Sequence, residues 1–160
     1  MEFNIVDIEK SDDTQCIIGH AGFIKTTEDL YEAMMNACPT LKFGIGFVEA
    51  SGPRLVRGEG NDSKLEELAK KNAFAIAAGH SFIILFKGAF PINVTNAIKN
   101  VPEVSRIVCA TANHVQVIVG ITNQGKAIMG VVDGGEAQGI ERNSDKTERR
   151  EFLKKIGYKL

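Results

Sequence analysis

Cysteine is scarce in this chain of 160 residues: there are three, Cys16, Cys38 and Cys109, odd in number, far apart and without any C-x-x-C. That excludes a disulfide framework and a thiolate zinc site, and leaves three reduced thiols in a protein expected in the cytoplasm. Excess charge is missing too. Lys+Arg 19 against Asp+Glu 20 leave a formal charge of -1, so bulk electrostatics mark neither a nucleic-acid nor an anionic-membrane partner. The longest mainly apolar run, Ala73 to Phe86, is broken by Gly79, His80 and Ser81 and is shorter than the ~20 residues of a membrane helix. The opening "MEFNIVDIEK" alternates like a strand and lacks the basic flank and apolar stretch of a signal peptide. His20, His80 and His114 form no H-x-x-x-H or H-x-E, so spacing implies no metal. No G-x-S-x-G and no aromatic-rich basic patch occurs.

What is present fits one domain over residues 1–160, with no repeat, linker or low-complexity segment. Residues 3–9 and 14–20 are expected to be strands of an opening hairpin across "KSDD". A helix follows at about 27–37, with Leu30, Ala33, Met34 and Ala37 on one face and Thr26 as its N-cap. "LKFGIGFVEA" reads as a strand whose Gly44 and Gly46 leave room for a close backbone or ligand. "SGPRLVRGEGND" reads as a turn-rich loop. A second helix has Ser63 and Glu66 in capping-box spacing and Gly79 as its stop, which places His80 just beyond it. "SFIILF" is continuous and apolar, as a strand covered on both faces should be. Pro91 opens a short third helix and Pro102 lies past its end. "VSRIVCAT", "HVQVIVGIT" and "KAIMGVVD" make three more strands, the last two a hairpin across "NQG". The last helix, about 145–156, has Asp145 and Glu148 in capping-box spacing, Phe152 and Ile156 on one side and Gly157 at its end. The sum is an α/β domain, a mixed sheet with helices packed on it, of about seven strands and four helices.

"GITNQGKA" fits G-x-x-x-x-G-K, yet Ala127 stands where a phosphate loop needs a metal-binding hydroxyl, and a strand rather than a helix follows; a hairpin turn is expected. His80 combines a strand-entrance position with an imidazole, a side chain that acts as a neutral nucleophile near pH 7. An ordinary histidine at a helix C-terminus is the competing reading. Lys25 and Thr26 precede a helix N-terminus, where free amides attract anions; plain capping explains them equally. Glu49, Ser51, Arg54 and Arg57 cluster after a strand, where a carboxylate suits ribose hydroxyls and arginine suits phosphate, or where charges are simply solvated. Asn113 both donates and accepts, as adenine's edge requires, and Asp133 stands beside two glycines; either is also a turn former.

"FIKTTEDLYEAM", "FGIGFVEASGPRLVRGEGND", "AGHSF", "PINVTNAIKNVPEV", "CATAN", "VQVIV" and "GVVDG", in this order, resemble the adenosine-specific kinase family, small proteins found largely in archaea and some bacteria. The similarity runs from about residue 3 to the closing "IGYKL". The resemblance implies a cytosolic protein that binds adenosine or AMP, transfers a phosphoryl group at the nucleoside and assembles as a compact homo-oligomer, with a trimer as one candidate. It implies no standard nucleotide loop. The matched polar positions are Lys25, Thr26, Glu28, Glu49, Ser51, His80, Asn113 and Asp133, with His80 as the catalytic group, acting as nucleophile or general base and the others as ligand contacts. The chain departs from the family pattern at His20, where a glutamine is usual, at Gly22, where a histidine is usual, and at His114, where a proline is usual. If the histidine missing at 22 handled the phosphoryl group, the protein would bind nucleoside without turnover. A non-catalytic adenosine or AMP sensor acting through its oligomer is therefore the alternative, and a structural oligomer without a small ligand is a third reading. No phosphoryl donor or other cofactor is identifiable from the sequence.

Overall fold

The computed structural model describes residues 1–160. In chain order, β1 (Glu2–Asp7) and β2 (Gln15–Ala21) precede α1 (Thr26–Ala37), and β3 (Lys42–Val48) and β4 (Val56–Gly60) precede α2 (Ser63–Ile76). Next come β5 (Ser81–Lys87), α3 (Pro91–Lys99), β6 (Val104–Thr111), β7 (Val115–Ile121), β8 (Lys126–Asp133) and α4 (Asn143–Lys155). The α/β class and the four helices stand as expected, with eight strands for about seven.

The sheet expected as one is two. Five strands run in the order β4-β3-β5-β2-β6 and three in the order β1-β7-β8, and every ladder is antiparallel. The pleat of β5 shows why this arrangement buries so much. Ile83 and Leu85 enter the core shared with α2 and the small sheet, while Phe82, Ile84 and Phe86 enter the core under α1 and α3. A continuous apolar run is what a strand covered on both faces requires.

The opening hairpin does not form. β1 pairs with β7, and β2 pairs with β5 and β6, so "KSDD" carries the chain from one sheet to the other. Val6 and Ile8 are buried in one core with Val115 and Val117, and Asn72 of α2 clamps the crossing by bonding both the N–H and the C=O of Glu9.

β4 lies inside the stretch expected to be loop. Its glycines looked like turn residues, but Gly58 and Gly60 pair directly with Gly46 and Gly44 of β3. Residues opposite one another in a ladder share a face, so the four make a flat cradle, and α2 lies on it: a Cβ at Gly44 would stand 2.1 Å from Glu66 N and one at Gly46 2.5 Å from Ala69 O. The close backbone approach expected of Gly44 and Gly46 is thus a helix. Its N-cap is Asp62, whose carboxylate accepts from Leu65 N at 3.0 Å, not Ser63. α3 begins at Pro91 and β7 and β8 join across "NQG", both as expected. α4 starts two residues earlier than predicted, with Asp145 accepting from Arg142 N, and buries none of its residues in this chain.

Candidate functional site

His80 owes its place to the way α2 ends. Ala77 takes the left-handed conformation, φ 52, and returns its N–H to Ala73 O; the helix therefore stops before the expected Gly79, because Ala78 must turn into the core. Three residues after Ala77 the chain is left-handed again, at His80, φ 64. Such a backbone costs a non-glycine residue about 1–2 kcal/mol, and here two strands hold it. His80 N donates to Val48 O at 2.8 Å and His80 O accepts from Ala21 N at 2.8 Å, so the residue is fixed between the ends of β3 and β2. The exposed ring stacks on Phe47, 6.1 Å between centroids and 10° from parallel, rather than resting on carbonyls of α2. Ser81, beside it, is buried and donates its hydroxyl to Ala78 O.

The imidazole forms one wall of a cleft of about 440 Å³, with Phe23, Ile24, Phe47, Glu49 and Ser51 among the others. At Gly22 a Cβ would lie 3.2 Å from His80 Nδ1, so the absence of a side chain there leaves that ring edge uncovered. The strap from Glu49 to Pro53 closes the cleft, and Glu49 shapes the strap. One carboxylate oxygen accepts from Leu55 N at 2.9 Å and the other from Arg57 Nε at 2.8 Å, with Arg57 Nη2 also at 2.8 Å. The Arg57 guanidinium, and then the Leu55 N–H, hold the Glu49 carboxyl below its ordinary range. Glu49 is therefore bound within the chain, whereas Ser51 is exposed at the cleft rim.

The other positions fall into two groups. Lys25, Thr26 and Glu28 stand at the start of α1, next to the cleft wall of Gly22 to Ile24. Thr26 is not the N-cap: Lys25 occupies that position, and Thr26 is buried with its hydroxyl donated to Phe23 O at 2.6 Å. Lys25 pairs with Asp29 and, at 3.0 Å, with Glu103, whose side chain is buried; the Asp29 carboxylate first, and then that of Glu103, raise its pKa. Glu28 accepts from Thr27 Oγ1 at 3.0 Å. Asn113 and Asp133 bond one another at 3.0 Å, but beside Thr111, which pairs with the first half of β2. His80 is at the other end of that strand, roughly 20 Å away at ~3.3 Å rise per residue. One chain thus brings His80, Glu49 and Ser51 together, with the α1 group beside them and Asn113 and Asp133 remote. Sequence reasoning missed Phe47, Phe23 and Ile24 as cleft walls, since exposed and core aromatics look alike in a strand pattern, and it missed Glu103, which follows Pro102 with no motif around it.

His20 faces Ser81 across the β2–β5 ladder and accepts at Nδ1 from Arg106 Nε, 3.1 Å. Burial, followed by the nearby Arg106 and His80, lowers its pKa. No group of three or more His, Cys, Asp or Glu side chains is arranged to hold a metal ion, and no helix is long and apolar enough to cross a membrane.

A solved structure, the PH1918 protein from Pyrococcus horikoshii OT3, is similar over 99% of this chain and 98% of its own, with 51% sequence identity and a TM-score of 0.97. No curated protein matches. The family described as adenosine specific kinase matches residues 6–159, nearly the whole chain. The chain therefore belongs to the adenosine-specific kinase family.

Proposed function

We propose that the protein binds adenosine or AMP in the His80 cleft and transfers a phosphoryl group to or from the nucleoside through His80. The observation that supports this best is the imidazole itself: exposed, stacked on Phe47 and held in a left-handed conformation by two strand-end hydrogen bonds, beside a glycine. Strain over-determined by its surroundings is typical of sites where a group must be pre-positioned. Phe23 and Ile24 offer an apolar wall to a purine and Ser51 a hydroxyl to the ribose.

As nucleophile, a ring nitrogen lends its lone pair to phosphorus while the donor's P–O bond breaks and the departing oxygen keeps the electrons. A ribose hydroxyl oxygen then attacks the phosphorus and loses its proton to solvent, and the P–N electrons return to the ring. As base, the ring would instead take that proton in a direct transfer. Intact mass at neutral pH after exposure to a phosphoryl donor separates the two roles. An acid-labile phosphoryl adduct on the wild type, absent from His80→Asn, is the nucleophile's signature; asparagine also tolerates a left-handed backbone. Unchanged adenosine-dependent turnover in His80→Asn would remove His80 from the chemistry.

One observation favours a second reading, a non-catalytic adenosine or AMP sensor acting through a homo-oligomer such as a trimer. The outer face of β1-β7-β8 exposes Phe3, Ile5, Met129 and Val132, an apolar surface suited to another copy of the chain. A sensor would gain thermal stability with adenosine over guanosine, change its oligomer size by light scattering, and show no turnover. With only free cysteines, the chain suits the reducing cytoplasm.

A further inference from the structure

Two walls of the His80 cleft are held in different ways, each through a glutamate whose side chain is buried. The Glu49–Pro53 strap backs onto a second, larger cleft of about 730 Å³, with Glu49, Ala50 and Pro53 bordering both, and Glu49 fixes it through Arg57 and Leu55 N. The other wall, Gly22 to Ile24, has no such anchor of its own. Phe23 is 57% and Ile24 62% exposed, so core burial does not fix them. On the α1 side, Phe23 O accepts from Thr26 N and Thr26 Oγ1. Glu103 holds the rest. Its carbonyl oxygen accepts from Gly22 N at 3.1 Å, and its carboxylate stands 3.0 Å from Lys25 Nζ, so one residue takes both ends of the Gly22–Lys25 bend. Glu103 is itself well anchored: Val104 N closes a turn onto Val101 O, and Val101 lies in the core under α1 and α3. Its side chain is 5% exposed, neither carboxylate oxygen accepts a well-directed hydrogen bond, and Lys25 is the only cation paired with it.

We propose that Glu103 is a positioning residue of this cleft: through Gly22 N and Lys25 it sets where Phe23 and Ile24 stand relative to His80 and Phe47. What the wall meets rests on the nucleoside reading above; that Glu103 holds the bend does not. The same geometry gives Lys25 a different task from the anion contact that a helix N-terminus invites. A buried carboxylate stripped of its cation is strongly disfavoured, so Lys25 stays on Glu103 rather than swinging into the cleft. Asp29 holds the same ammonium from the first turn of α1, which leaves it little charge to offer an anion. Removing the Glu103 carboxylate frees the bend without touching His80, which the ends of β3 and β2 hold separately. A ligand must then order two wall side chains as it binds, and affinity falls while the chemical step is unchanged.

Hydrogen exchange followed by mass spectrometry on the full chain reads the bend, and calorimetry with adenosine and AMP as separate probes reads the cleft. Glu103→Gln keeps the backbone carbonyl and the side-chain volume. In it the amides of residues 22–26 should exchange about tenfold faster, with those of Phe82 to Phe86 in β5 unchanged. Adenosine and AMP should each weaken about tenfold, and any turnover at saturating adenosine should stay within about twofold. Lys25→Met should produce the same losses, equal for the two ligands, and the double variant Lys25→Met, Glu103→Gln should lose no more than either single one. Lys71→Met, which breaks the exposed pair with Glu9, should change nothing. Unchanged exchange at 22–26 in Glu103→Gln, faster exchange with adenosine affinity intact, losses that add in the double variant, or a Lys25→Met loss confined to AMP would overturn the proposal. Faster exchange in Glu103→Gln, in a protein whose wild type binds neither adenosine nor AMP, would uphold the hold of Glu103 on the bend while removing the nucleoside reading of the cleft.

Discussion

Gly44→Ala tests the packing that sets the position of the site. A Cβ there would stand 2.1 Å from Glu66 N, 2.2 Å from Leu65 C and 2.4 Å from Glu66 Cα, all backbone atoms of the first turns of α2. Ordinary contact begins near 3.4 Å, so the helix must lift by more than 1 Å. It is not free to lift. Asn61, just before it, accepts from Phe43 N at 2.8 Å and donates to Leu41 O at 2.8 Å, and Asp62 caps the helix. Overpacking of this kind costs about 1–3 kcal/mol, and each lost hydrogen bond about 1 kcal/mol more. A loss of about 3–4 kcal/mol is expected, and with a urea slope of about 2 kcal/mol/M the midpoint should fall by roughly 1.5–2 M. Gly130→Ala is the control: it lies in β8 with open space around its Cβ and no left-handed φ, so it should shift stability by less than about 1 kcal/mol, in the favourable direction. Chemical denaturation followed by far-UV circular dichroism measures both. Midpoints for the two variants within about 0.5 M of each other, on the same urea slope, would refute the glycine cradle as a packing constraint.

Three further outcomes are expected. Ala77→Gly removes a Cβ from a left-handed helix cap and should raise stability by about 1 kcal/mol in the same denaturation assay. The native pKa of His20 lies below its ordinary 6.5 because burial, then Arg106 and His80, disfavour the cation. The unfolded chain therefore binds the proton more readily, so His20's contribution is complete above 6.5 and is lost as pH falls from there through the lowered native value. In His20→Gln, the slope of unfolding free energy against pH across that window should flatten. Burial holds Cys16 well above the ordinary thiol range and raises Cys109 to about 11, with Asp133 adding to the shift at Cys109. A thiol-reactive dye should accordingly modify Cys38 alone in the native protein and all three cysteines in denaturant.

Much of the fold was legible because periodicity reports burial directly. The β5 run, the β7–β8 hairpin and the proline start of α3 needed only local chemistry. β1 and β2 were misread because a polar connector of suitable length looks the same whether it reverses a strand or crosses to another sheet; partner choice is decided by Val6 and Ile8 against β7, more than 100 residues away. β4 was missed because glycine in a strand reads as a turn until the helix lying against it is known. In the site, the chemistry-bearing types were visible but their commitments were not. That Glu49 turns inward to Arg57 and Lys25 to Asp29 and Glu103 depends on the three-dimensional neighbourhood of each. The left-handed cap at Ala77 was hidden by the better glycine two positions later.

The strap from Glu49 to Pro53 is a party wall, with Glu49, Ala50 and Pro53 facing both clefts. A shift in the backbone of this strap therefore alters the walls of both clefts at once. A substitution at any of these three residues reshapes both clefts in the same step, so neither can be remodelled there alone.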